Sequence, residues 1–174
     1  MPTFAFAQVQ NGDFENGGAG WVVDPPPPGW TVDFPPDGGN PNGRAAITSP
    51  FGNSQGEACI RQSFQCSSPG AGDSCNISFD YRLESIDAAP FSGRVRVLVD
   101  GVEMYVSAPT DFPGIPWTSV SITVPCGQHE IALCLQVDIE NNGWQASFDN
   151  VRAECHGTVP TRPRTWGDVK LIYR

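Results

Sequence analysis

Positive charge is scarce in this chain. Ten Lys and Arg stand against nineteen Asp and Glu, a net charge of −9 over 174 residues. No stretch clusters cations along a line that could track a phosphate backbone, so nucleic-acid binding is excluded. No apolar run approaches the roughly 20 residues with which a helix crosses a bilayer, which excludes membrane insertion of that kind. Histidine is down to His129, at a turn, and His156, near the C-terminal tail. No Gly-x-Ser-x-Gly elbow, HExxH helix or P-loop accompanies them, so no catalytic constellation presents itself and the chain reads as non-enzymatic. Ala/Leu/Glu/Lys-rich stretches are missing too, which removes helical bundles. None of the six cysteines forms a CxxC pair. That is a poor pattern for zinc and a good one for a disulfide framework in an oxidising compartment.

Glycine (19) and proline (17) are plentiful, and 39% of the residues are hydrophobic. This is enough to bury one core and too apolar for disorder. Phe4-Ala5-Phe6-Ala7 ahead of Gln8 has the small-x-small spacing of a signal-peptidase site. Residues 1–7 therefore read as a signal-peptide remnant, and the protein as secreted, extracellular or at the cell surface.

Gln8 to Glu15 reads as a first strand anchored by Val9 and Phe14. Residues 16–57 are loop-rich, and Pro25 to Pro28 and Pro35-Pro36 bar helix and central strand there. Trp21, Trp30 and Phe34 mark this segment as a folded flap, and Ala45-Ala46-Ile47 as a short strand after it. Strand patterns then follow one another. They are Cys59–Cys66; Asn76–Leu83, with Ile77, Phe79, Tyr81 and Leu83 on one face; Arg94–Val99 and Val102–Val106, joined by the type I′ pair Asp100-Gly101; Trp117–Val124; Glu130–Ile139; and Ala146–Cys155. Seven or eight such strands predict an all-β fold, an antiparallel β-sandwich of the jelly-roll kind, over residues 8–155. A Pro-containing spacer, 156–164, and an apolar peptide, 165–174, make an extended C-terminal tail.

Several short motifs in order carry a resemblance. Asn11-Gly12-Asp13-Phe14-Glu15, then Gly20-Trp21 or Gly29-Trp30, then Trp117-Thr118-Ser119-Val120 and finally Phe148-Asp149-Asn150-Val151 resemble carbohydrate-binding-module-type jelly rolls of the galactose-binding-like superfamily. The likeness implies a polysaccharide or glycan as partner, first and last strands that lie side by side, and a structural calcium ion (Ca2+) near them. Asp13, Glu15 and Asp149 would supply its carboxylate oxygens; the same groups could instead accept loop N–H groups or pair with Arg152. The Pro-rich segment 22–43 departs from the family pattern and could cover or reshape the ligand face.

Sugar recognition needs exposed rings flanked by amides or carboxylates. Trp144, with Asn142 and Gln145 beside it, leads the candidates, its alternative being a ring tucked over the sandwich edge. Trp21 and Tyr105 follow, while Trp30 and Trp117 are expected in the core. If successive strands alternate in direction, Cys66, Cys75 and Cys126 lie at one end and Cys155 leaves there, while Cys59 and Cys134 share a height further along. The expected bridges are Cys66–Cys75, Cys59–Cys134 and Cys126–Cys155. Trp166, Val169, Leu171 and Tyr173 of the terminal peptide fit a sorting tail, a strand packed on its own domain, or a strand donated to another copy, building a filament head to tail.

Overall fold

Strict alternation makes most of the strands, because each has one face to bury. The computed structural model describes residues 9–52, 55–66, 73–86, 93–108, 114–138 and 143–156. Among them are ten strands and no helix: β1 (Val22–Val23), β2 (Thr31–Asp33), β3 (Ala45–Thr48), β4 (Gly56–Cys66), β5 (Ser74–Ser85), β6 (Gly93–Val99), β7 (Val102–Val106), β8 (Gly114–Pro125), β9 (Gly127–Val137) and β10 (Trp144–His156). Two five-stranded sheets result, ordered β1-β4-β9-β6-β7 and β2-β3-β10-β5-β8. Every pairing is antiparallel, and the two sheets stack as the expected jelly-roll sandwich. Residues 1–7, Asn142 and the tail peptide with Trp166, Val169, Leu171 and Tyr173 lie outside the described residues.

The inner faces interleave into one core. Ile77, Phe79, Tyr81 and Leu83 of β5 and Trp144, Ala146 and Phe148 of β10 meet Ile131, Leu133 and Leu135 of β9 and Val95 and Val97 of β6, all buried. Full burial of each large apolar side chain contributes about 1.5–3 kcal/mol, so this layer dominates the fold's stability. The β6–β7 hairpin turns as its sequence requires, with Asp100 and Gly101 at φ 53° and 77°.

Two expectations fail at the N-terminal side. Residues 10–13 and 15–20 are turns, not a strand. Asn11 and Phe14 adopt φ of 49° and 52°, which an extended chain does not. The Asn11 amide organises the reversal, donating to Gly17 O (2.7 Å) and Ala19 O (3.1 Å) and accepting from Asn16 N (3.0 Å). Val9 and Phe14 are still buried anchors, so the apolar positions are right and the conformation differs. The Pro-rich flap contains two strands that its composition hid. β1 and β2 are short and sit at sheet edges, where a neighbouring proline removes no ladder bond.

The cysteines divide between two places. Cys59 and Cys134 face each other across β4 and β9 and form a disulfide on the outer side of that sheet. Cys66 lies within bonding reach of both Cys75 and Cys155, which are opposite each other in β5 and β10. A sulfur takes one disulfide partner, so these two bridges are alternatives. Cys126 is unpaired and half-buried instead of bonded to Cys155. Its sulfur lies within 4.8 Å of those of Cys66 and Cys155.

Candidate functional site

The two motifs that carry the resemblance meet. β10 shifts register between Asp149 and Arg152, and Asn150 there takes a left-handed φ of 52°. This bulge turns Val151 N away from β5 to donate to Gly12 O at 2.8 Å. Glycine is required at position 12: a Cβ there would stand 1.9 Å from Val151 O. The closure is hydrogen-bonded throughout. Asp149, 1% exposed, accepts from Asn40 N (2.5 Å) and Asn150 N (2.6 Å), one on each oxygen. Asp80 accepts from Asn40 Nδ2 (3.1 Å), Asn150 Nδ2 (2.9 Å) and Ser119 Oγ (2.5 Å). Burial raises the Asp149 pKa, the two backbone N–H groups oppose that, and the nearby charges of Asp80 and Asp13 add to the rise.

The carboxylates expected to hold calcium are engaged with backbone N–H groups in this arrangement. Asp13 accepts from Glu15 N at 3.4 Å, Glu15 accepts from Gly43 N at 3.4 Å, and each Asp149 oxygen accepts one N–H. The three carboxylates do not gather within 4.8 Å of one another; among the described residues the groups that do are Cys66, Cys126 and Cys155, and Glu57, Cys59 and Cys134.

The expected platforms are inside. Trp144 is fully buried, the first inward residue of β10, and its ring would be hit by a Cβ on Gly93. Trp21 is buried 5.2 Å from Phe14, with Nε1 donating to Asn11 O. Tyr105 points inward onto Phe79 and Tyr81, its hydroxyl 2.7 Å from that of Tyr81. Trp30 is in the core as expected. Of the described candidates, Gln145 alone is on an outer face, its Nε2 donating to Thr48 Oγ1 at 2.9 Å.

Trp117 is misplaced in the opposite sense, expected in the core and found on an outer face. Val120, Ile122 and Val124 of β8 pack inward, so Trp117, Ser119 and Ser121 face out. That parity was readable in the sequence. The ring is half-buried, with the Arg82 guanidinium 5.4 Å above it. Rows of side chains cross the outer face of the β10 sheet from here. Arg82 is opposite Ser147, which is opposite Ala46; beside them run Glu84, Gln145 and Thr48. Arg44 lies over these rows, its NH1 donating to Ser147 Oγ (2.9 Å) and Gln145 Oε1 (3.4 Å). Burial, then the Arg82 guanidinium, draw the Arg44 pKa below the usual arginine value, while Glu84 and Asp37 oppose this.

The flap shapes this face. Asn40 sits on Asp149 and Asp80, and Gly38 lies against the Arg44 guanidinium, 3.3 Å from where its Cβ would be. Beyond Trp117 a cavity of about 290 Å³ is lined by Ser78, Phe79, Asp80, Ser119, Asn150 and Arg152. A larger hollow, about 420 Å³, runs beside the closure past Asn11, Asp13, Asn16 and Glu154. It has no aromatic ring, whereas the outer face of the β10 sheet combines ring, amide, carboxylate and guanidinium.

No protein-family model matches the chain, and no curated protein matches it in sequence. Solved structures do match in shape. The K3 cleaved adhesin domain of Lys-gingipain from Porphyromonas gingivalis W83 superposes with a TM-score of 0.60 at 18% identity, over 84% of this chain and 98% of that one. TmCBM61, solved in complex with β-1,4-galactotriose, gives 0.57 at 14% identity, over 85% and 97%. A CBM4 structure gives 0.50 at 14%, over 82% and 99%. The chain thus has the carbohydrate-binding-module type of jelly-roll fold.

Proposed function

We propose that this protein is a secreted, non-catalytic glycan-binding module acting at the cell surface, and that it binds polysaccharide on the outer face of the β10 sheet. The observation that carries the reading is Trp117. It is a half-buried ring on a polar sheet face, with Arg82 over it and Glu84, Gln145 and Arg44 further along the same face. A sugar presents an apolar ring face and a rim of hydroxyls. Stacking on an aromatic ring buries the first, and carboxylate, amide and guanidinium groups pair with the second. Binding is a task for a preformed surface, and the sheet supplies one: side chains anchored on three neighbouring strands lose little freedom on contact. The fold shared with carbohydrate-binding modules and adhesin domains supports the reading, and the disulfides suit an oxidising compartment.

Affinity electrophoresis through gels containing a panel of neutral and charged polysaccharides tests it. At least one polymer should retard the protein, and Trp117→Ala should weaken that retardation roughly tenfold or more, the loss of one stacking ring. Trp144→Ala tests the face in the other direction, since it removes a core residue and should lower the melting temperature. Retardation that survives Trp117→Ala would place the site elsewhere.

A further inference from the structure

The arginines on the two outer faces are treated differently. On the β9 sheet each is neutralised: Arg61 by Asp24 and Glu130, Arg96 by Glu57 and Glu103, Arg94 by Asp138. On the β10 sheet Arg82 meets Glu84 alone, at 2.9 Å. Among the described residues Arg44 has no carboxylate within 4.0 Å and spends NH1 on two neutral oxygens. The Nε of each is enclosed without an acceptor; Arg94 shares that feature but has Asp138. The register brings the two guanidinium groups together, because Arg82 is opposite Ser147 and Arg44 bonds Ser147. An acidic chain of net charge −9 thus holds two neighbouring cations with one carboxylate, Glu84, in ion-pair reach of them, beside the outward Trp117 of this sheet.

We infer that the glycan is acidic, and that a uronate carboxylate docks between Arg44 and Arg82 while its sugar ring packs by Trp117. This rests on the glycan-binding reading above and names the ligand class within it. A planar carboxylate matches the guanidinium fork and relieves the repulsion between the two arginines, and a neutral hydroxyl does only part of the first. The stack on Trp117 holds Arg82 in place, so less freedom is lost when the anion arrives. The overall negative charge does not forbid this, since at physiological salt charges beyond about 8 Å are largely screened and the nearest groups decide.

The test uses the full chain in EDTA, which removes calcium bridges between acidic polymer and acidic protein. Polygalacturonate, alginate and hyaluronan are each compared with their carboxyl-reduced counterparts. The expected result is binding to at least one native polymer and at least about tenfold weaker binding to its reduced form, the scale of a lost charge-assisted pair. Arg44→Gln and Arg82→Gln should reproduce that loss on the native polymer with melting temperatures near the parent's. The polymer comparison needs no variant, so it stands even if one of these unfolds. Equal binding to native and reduced polymers, or binding to neutral polysaccharides alone, overturns the inference and leaves the glycan reading in place. Binding to no polysaccharide of either kind overturns both.

Discussion

At Asp149 a carboxylate 1% exposed is held by two backbone N–H groups beside two other acids. Its pKa in the fold is raised above the ordinary value of 3.8, burial being the largest cause. In the window between the two values the folded state binds the proton and the unfolded state does not. The contribution to stability is therefore fully present below the unfolded value and is lost as pH rises through the folded one. The difference in unfolding free energy between the parent and Asp149→Ala should widen as pH falls from 7 toward 4, measured by urea denaturation. A difference that narrows on acidification would mean that the N–H donors outweigh the burial. Residue-level reading of the sequence did well where chemistry is local. It singled out Asp149 and the Asp100-Gly101 turn, and it missed Asp80, which joins Asp149 on Asn40 and Asn150. It placed Trp144 and Trp117 on the wrong faces because it weighed neighbouring residues over parity. Asn141-Asn142-Gly143 suggested a loop, yet Trp144, Ala146 and Phe148 alternate as one inward face.

Strands were legible in proportion to the surface they bury on one side. β5, β6, β9 and β10 alternate over many residues and were found within a few positions. β1 and β2, of two and three residues, bury too little to pattern a sequence. The N-terminal turn mimics a strand, since Val9 and Phe14 are apolar anchors on a chain that reverses between them. Disulfide placement followed from strand direction for Cys59 and Cys134, and blurred where four sulfurs crowd one end. The Cys59–Cys134 bridge spans a sequence separation of 75, for which chain entropy predicts a loss of about 4 kcal/mol when it is removed. Replacing both residues by serine should lower the unfolding free energy by roughly 2–4 kcal/mol, read from denaturant curves. A loss below about 1 kcal/mol would show that the β4–β9 ladder alone holds this register.

Among the described residues one large core is shared by both sheets, into which Trp21, Trp30 and Trp144 are packed. The sheets should therefore unfold together. Tryptophan fluorescence and far-ultraviolet circular dichroism are expected to give the same midpoint in urea, within error, and two separated transitions would mean that the flap melts on its own. What the whole chain does was less legible than what it is. A fold follows from pattern and burial, which run through every strand, whereas the proposed site depends on which way one ring faces and on a flap with no periodic signal.

The bulged strand β10 has a temporal consequence. It lies at the centre of its sheet, between β3 and β5, yet it is the last strand of the described chain to be synthesised. Until it emerges from the ribosome, β2 and β3 have no partner to join them to β5 and β8, and the faces that Trp144 and Phe148 will cover stay open to water. Pairings as distant as Ala45 and Phe148 make this a high-contact-order sheet, for which slow folding is expected. A nascent chain short of β10 therefore lacks the strand that joins the two halves of the outer face carrying Arg82 and Arg44.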